Sequence, residues 1–314
     1  MDIQAPFGFV TGCHAGDKFM VQATLASMRH YCPDIPICLV QDGDFDISDL
    51  RDLYNPIILR PQHLADPGMR ALTSGNYRAK LAAMWEGPFE SYVWLDSDAI
   101  VFGDFRHQLD LNCDFQIFWS EVSVAAGAAE VPSWLPHFYF DPRQVALFDR
   151  TFEWRGLPYF CTGAFLSRRN SIPFNVWMEA EDWLKQRPGM FAWGEMGMLN
   201  YLVHALSQKG RLKVTMANLQ HIPGHHGTKE LEQDCMGSRW RFPEIIQRPR
   251  VAHFCGRKPF LFDRKAYSRP FTIARLQHYN RKGFSDFSSF LCILGEDMRV
   301  YSLKAASKIR RLLS

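Results

Sequence analysis

The chain has 314 residues, with 36 basic and 33 acidic side chains and a formal net charge of +3. So even a balance leaves no electrostatic footprint for nucleic acid, and 47% hydrophobic residues with 25 phenylalanines exclude a disordered chain. The start, Met1-Asp2-Ile3-Gln4, lacks the basic and apolar stretches of a signal peptide, and no run is long enough to cross a bilayer, so a cytoplasmic protein is expected.

Phe7-Gly8-Phe9-Val10 predicts a first strand that ends at Thr11-Gly12. Val21, Leu25, Met28 and Cys32 follow at helical spacing, with Asp17 as the natural N-cap. Ile35 to Val40 predicts a second strand, closed by the turn-prone Asp42-Gly43. Strand, helix and strand at this spacing make a βαβ unit, which favours a parallel sheet. Ile57-Ile58-Leu59 predicts a third strand, and a helix over Ala79 to Trp85 feeds the apolar run Tyr92-Val93-Trp94-Leu95. Further strands are expected at Phe115 to Trp119 and Gly163 to Leu166, and helices over Val176 to Lys185 and Met196 to Leu206. Asn218 to Arg250, rich in Pro, Gly and His, reads as an extended loop region.

Asp96-Ser97-Asp98, set directly behind that apolar run, is the most informative segment. If the strand continued, carboxylates at i and i+2 would share a face at the carboxyl edge of the sheet, where open α/β folds bind ligands. Two anions that close call for a cation, and carboxylate oxygens suit Mn²⁺ or Mg²⁺. Val251 to Phe260 supplies complementary groups: His253 as a third ligand, Gly256 for close backbone approach, and Lys258 as a point charge for phosphate. Gly12 to Lys18 has the wrong glycine spacing for a P-loop, and no GxGxxG follows the first strand. The eight cysteines form no CxxC pair, the pattern of buried free thiols in a reducing compartment. His225 and His226 are adjacent, a spacing unlike a helical zinc pair, and Cys235 has no second cysteine close by.

In this order the motifs resemble glycosyltransferase family 8, the retaining GT-A enzymes that include glycogenin and bacterial lipopolysaccharide galactosyl- and glucosyltransferases. Phe9-Val10-Thr11-Gly12 is similar to the family's first strand and nucleotide loop, and Tyr77 to Leu81 to its Tyr/Arg/Lys segment. Trp94 to Asp98 resembles its Leu-Asp-x-Asp motif, Phe160 to Leu166 its Phe-Asn-x-Gly strand, and Gly194 to Asn200 its acidic helix start. His253 to Phe260 resembles the H-x-x-G-x-x-K-P-W ending. The departures fall mainly on the sugar pocket. Cys161 replaces a donor-contacting Asn, Gly194-Glu195-Met196 retains one carboxylate but loses the amide that family members place beneath the reacting sugar, one residue is missing between Gly256 and Lys258, and Phe260 replaces Trp.

The resemblance implies a GT-A fold, a Rossmann-like mixed α/β sheet flanked by helices, over residues 1–275, with a basic amphipathic helical tail over 276–314. It implies Asp96, Asp98 and His253 as holders of Mn²⁺ or Mg²⁺, Asp96 alternatively touching the ribose. Thr11, Gly12, Cys13, Arg78, Asp96, Ser97, Gly256 and Lys258 are the implied contacts to a UDP-sugar. Glu195 and Glu121 are the implied candidates for the sugar hydroxyls or the oxocarbenium-like centre. The acceptor would be a glycan or glycolipid. In the tail, Val300, Leu303, Ala306, Ile309 and Leu313 form an apolar stripe beside Lys304, Lys308, Arg310 and Arg311, a pattern suited to an anionic membrane surface. Two other functions fit the same residues: a sugar-phosphate nucleotidyltransferase, and a nucleotide-sugar binding protein without turnover.

Overall fold

In the computed structural model, residues 2–313 are described except 119–121, 193, 224–239, 245, 257 and 262–264, and for 265–267 and 303–313 the helical backbone alone. The strands are β1 (Ala5–Cys13), β2 (Ile37–Gln41), β3 (Ile57–Leu59), β4 (Phe89–Leu95), β5 (Ala99–Phe102) and β6 (Phe115–Phe118). They continue as β7 (Val122–Ser123), β8 (Pro158–Tyr159), β9 (Ala164–Arg168), β10 (Val214–Ala217), β11 (Gln220–His221) and β12 (Arg250–His253). Seven build one sheet in the order β10-β6-β9-β4-β1-β2-β3. β1 is parallel to β2 and β4, and β2 is parallel to β3, as the βαβ spacing predicts. β9 runs antiparallel between β4 and β6, which makes the sheet mixed.

Alternation along β4 divides the core between the two sheet faces. Tyr92 and Trp94 join Trp85, Phe115, Phe165, Trp177 and Tyr201 on one side. Val93 and Leu95 join Phe9, Val21, Leu25, Leu39 and Leu166 on the other. Helices Leu81–Glu86, Phe174–Gln186 and Glu195–Gln208 supply the first cluster, and Lys18–Tyr31 supplies the second.

Helix Lys18–Tyr31 shows a stripe in sequence, yet every residue from Met20 to Met28 is buried. Its outer face is covered by helix Lys265–Arg281, with Met20 and Ala23 packed among Phe271, Ile273 and Ala274. Asp17 precedes the helix without a side-chain capping bond; its carboxylate takes His14 Nε2 at 2.8 Å instead.

Residue 276, where the tail was expected to start, lies inside helix Lys265–Arg281. That helix is part of the core. It carries Arg275, fully buried, which is paired at 2.7 Å with both Glu296 and Asp297 of the last helix, Asp286–Leu313. The expected loop region contains β11 and leads into β12; its stretch with His225, His226 and Cys235 lies outside the described residues. The seven cysteines described are free thiols.

Candidate active site

Asp96-Ser97-Asp98 is not a continuation of β4. The strand stops at Leu95, and the three residues make a turn into β5, closed by Ala99 N donating to Asp96 O at 2.9 Å. Asp96 N donates to Gly163 O at 2.8 Å, and Thr24 Oγ1 from the buried helix donates to Ser97 O at 2.7 Å. The turn is therefore pinned both by the neighbouring strand segment and by the helix. Turn geometry, rather than strand pleat, brings the two carboxylates together.

His253 reaches them through strand register. β12 pairs antiparallel with β5, setting His253 opposite Ala99, and Phe254 N donates to Asp98 O at 3.1 Å. Its ring lies against Gly163, where a Cβ would stand 2.1 Å from the imidazole. Only glycine leaves room for the ring. Nε2 then lies 3.3 Å from Asp98 Oδ1 and 3.7 Å from Asp96 Oδ2. One ligand atom from each of Asp96, Asp98 and His253 falls within 4.8 Å of the others. Two carboxylate oxygens and an imidazole nitrogen are a donor set that fits Mn²⁺ or Mg²⁺.

Gln220 settles which ring nitrogen is available. It is buried on β11. With its amide assigned by hydrogen bonding, Oε1 accepts from His253 Nδ1 at 3.0 Å, and Nε2 donates to Cys161 O at 2.9 Å and Phe118 O at 3.2 Å. The opposite orientation would turn an oxygen towards two carbonyls. With Nδ1–H engaged, the ring donates from Nε2 towards the carboxylates while protonated and presents the Nε2 lone pair there once neutral, the usual outer support of a ligating histidine.

The charges around the turn are balanced by two lysines. Lys258 Nζ donates to Asp98 Oδ2. Burial alone would raise the Asp98 carboxyl, but the charges of His253 and Lys258 outweigh it and hold the group well below the usual carboxylate range. Lys80 Nζ, buried, bridges Asp96 Oδ1 at 3.0 Å and Glu195 Oε1 at 2.7 Å. Burial opposes that ammonium too, and here Asp96 and Glu195 outweigh it and raise its pKa above the ordinary value. Thr162 Oγ1 donates to Glu195 at 3.1 Å, and Trp94 Nε1 to Asp96 Oδ1 at 2.7 Å.

These groups face a cleft of ≈ 720 Å³ at the carboxyl ends of β1 and β4. Gly12, Cys13, Asp96, Ser97, Asp98, Glu195 and Lys258 line it, and Asp42, Asn76 and Tyr77 form the far side. Its size and position suit a small-molecule ligand.

Compared by sequence, the chain matches no protein-family model and no curated protein significantly. Compared by structure, it aligns with galactosyltransferase LgtC in complex with donor and acceptor sugar analogues, at TM-score 0.54 and 16% identity over 87% of this chain and 95% of that one. The chain has a GT-A glycosyltransferase fold. An active-site mutant of LgtC aligns at TM-score 0.49 and 16% identity, covering 90% of this chain and 95% of that one. Glycosyltransferase GlyE of Streptococcus pneumoniae TIGR4 aligns at TM-score 0.49 and 12% identity, covering 95% of this chain and 64% of that one.

Within the GT-A frame, three of the expected donor contacts lie outside the cleft lining. Thr11 is fully buried in β1, so its side chain faces the protein. Arg78 turns away to pair with Glu181 at 3.1 Å. Gly256 has φ +85° and is exposed, with no atom near its Cβ position. Glu121 lies outside the described residues. Sequence reading passed over Lys80 and Gln220. Lys80 belongs to the Tyr77–Leu81 segment; no local pattern marks Gln220.

Proposed function

We propose that the chain is a metal-dependent glycosyltransferase of family 8 that moves a hexose from a UDP-sugar to a glycan or glycolipid acceptor. The observation that carries this reading is the convergence of Asp96, Asp98 and Lys258 at one cleft of a GT-A fold, with His253 packed against the two carboxylates.

Asp96, Asp98 and His253 Nε2 would hold the cation. When bound, it supplies Lewis-acid stabilisation to the departing diphosphate. Lys258 exchanges Asp98 for the diphosphate oxygens and offsets the charge that develops on them. The β1 end at Gly12 and Cys13 contacts the nucleoside through backbone groups, and Cys13, whose thiol burial pushes up to about 12, stays neutral there. Lys80 keeps Glu195 fixed beside Asp96, where the carboxylate orients the sugar hydroxyls or the face of the reacting carbon. Retention of configuration and a place in cell-surface polysaccharide or lipopolysaccharide synthesis complete the reading.

The reading also locates the enzyme in the cytoplasm, on the inner face of a membrane. Among the described residues no helix is long and apolar enough to cross one. The last helix exposes Phe287, Phe290, Leu291, Met298 and Tyr301, which share one face at helical spacing just ahead of the basic segment. A face of this kind suits an interface helix lying flat on anionic lipid.

The test is turnover of UDP-hexoses with Mn²⁺ in the presence of glycan acceptors, read as UDP release. Pyrophosphate release from UTP and a sugar phosphate would replace this reading with a nucleotidyltransferase. Binding of a UDP-sugar without turnover on any acceptor, or hydrolysis, would replace it with a binding protein.

A further inference from the structure

The imidazole of His253 has two chemically different sides. Nε2 faces the carboxylates of Asp96 and Asp98. Nδ1 faces sulfur: Cys161 Sγ stands 3.5 Å from it, delivered from 92 residues away in sequence. Cys255 follows His253 by two residues at the end of β12 and turns its thiol to the same place. Sγ of Cys161, Sγ of Cys255 and a ring nitrogen of His253 all lie within 4.8 Å of one another. Both cysteines are half-buried and the histidine is buried. The mechanism above uses neither thiol.

We propose that Cys161, Cys255 and His253 Nδ1 form a second metal site, for a thiophilic divalent cation of the Zn²⁺ class, which cannot be filled together with the carboxylate site because both need the same imidazole. Thiolate sulfur selects Zn²⁺ over the hard cations Mn²⁺ and Mg²⁺, and two cysteines with one histidine leave the fourth tetrahedral position open. The proton balance is simple. The two thiols release two protons to solvent as the cation binds. The Nδ1 proton moves round the ring, leaving Nδ1 as ligand and Nε2 as donor. Asp98 Oδ1, 3.3 Å from Nε2, receives that hydrogen bond, which completes a carboxylate–histidine–metal arrangement. Gln220 gives up its bond to the ring, and its amide oxygen moves off the Nδ1 axis to admit the cation. A soft ion on one side thus protonates the nitrogen that the hard ion needs on the other. The site itself stands on the sulfur and ring geometry; only the mutual exclusion rests on the carboxylate reading.

Titration of the chelator-treated full chain with Co²⁺ tests the site directly, because thiolate ligation produces a near-ultraviolet charge-transfer band and tetrahedral visible bands. Both are expected in the unmodified chain, to be bleached by Zn²⁺, and to be lost in Cys161→Ser and in Cys255→Ser. Each variant should weaken Zn²⁺ by more than the roughly tenfold typical of losing an outer-shell partner. No charge-transfer band in the unmodified chain, or a band that survives in both variants, overturns the site. Exclusion is read separately: Zn²⁺ should release Mn²⁺ from the unmodified chain, seen as the free-ion paramagnetic resonance signal, and should need a clearly higher concentration to do so in Cys161→Ser, where only direct competition at the carboxylate site remains. Asp98→Asn keeps the two failures apart, since it should abolish Mn²⁺ binding while leaving the Co²⁺ charge-transfer band. Retention of Mn²⁺ alongside a Zn²⁺-bleached band overturns the exclusion.

Discussion

Gln220→Leu should weaken Mn²⁺ at the carboxylate site without any change to a ligand. Leucine removes the acceptor for His253 Nδ1–H, a bond of 3.0 Å in a fully enclosed place. The ring can respond by moving its proton to Nε2, where Asp98 Oδ1 accepts it at 3.3 Å. The cation must then reverse that shift and leave the Nδ1 N–H with only the weak sulfur acceptor of Cys161 at 3.5 Å, and a buried donor so poorly satisfied costs about 1–3 kcal/mol. That corresponds to roughly a five- to 150-fold rise in Kd, which overlaps the usual effect of removing an outer-shell partner. Glutamate at the same position makes the argument sharp. Gln220→Glu and Gln220→Leu both lose the amide donors to Cys161 O and Phe118 O, and glutamate in addition turns a carboxyl oxygen towards those carbonyls, so its backbone damage is at least that of leucine. Only glutamate keeps an acceptor for the ring, and it should bind Mn²⁺ at least as tightly as the unmodified chain. The assay is a titration of free Mn²⁺ by paramagnetic resonance at neutral pH, with thermal melting to establish that each variant is folded. Mn²⁺ affinity of Gln220→Leu within about twofold of the unmodified chain, or Gln220→Glu as weak as leucine, would refute the tautomer argument.

Asp98→Asn should lower turnover by about a hundredfold or more with the fold intact, and full activity of that variant after chelator treatment would remove the metal from the mechanism. Lys258→Ala should weaken UDP and UDP-sugar alike by roughly ten- to a hundredfold, the worth of a charge-assisted contact of about 1.5–3 kcal/mol; calorimetry showing unchanged UDP affinity would count against diphosphate contact. Burial pushes His204 down to about 4 and His278 down to about 3, so the unfolded chain takes up those protons first as pH falls. The contribution of these two histidines to stability should be whole above about pH 6.5 and decline below it, His204 alone accounting for about 3 kcal/mol by about pH 4, and a flat unfolding midpoint between about pH 7 and 5 would contradict this. Removing residues 300–314 should abolish co-sedimentation with anionic vesicles and spare UDP binding; equal vesicle binding by the shortened chain would dismiss the tail as an anchor.

Much of this molecule is legible in short windows of its sequence. The apolar runs at Phe7–Val10, Ile57–Leu59 and Tyr92–Leu95 mark strands, and the spacing of Val21, Leu25 and Met28 marks a helix, because side-chain periodicity is a local property of regular backbone. The two-aspartate motif and the glycine-framed His253 segment could likewise be named as chemistry from residue type and order. What no window contains is register. That His253 stands beside Asp98 follows from β12 pairing with β5 opposite Ala99, and that Arg78 leaves the cleft follows from Glu181 on a helix a hundred residues on. Gln220, Lys80 bridging Asp96 to Glu195, and the thiols gathered on the far side of one imidazole carry no local signature at all. Each depends on a contact across strands or helices far apart in the chain, and such contacts are set by how sheet faces and strand registers pack, not by the periodicity of any single segment.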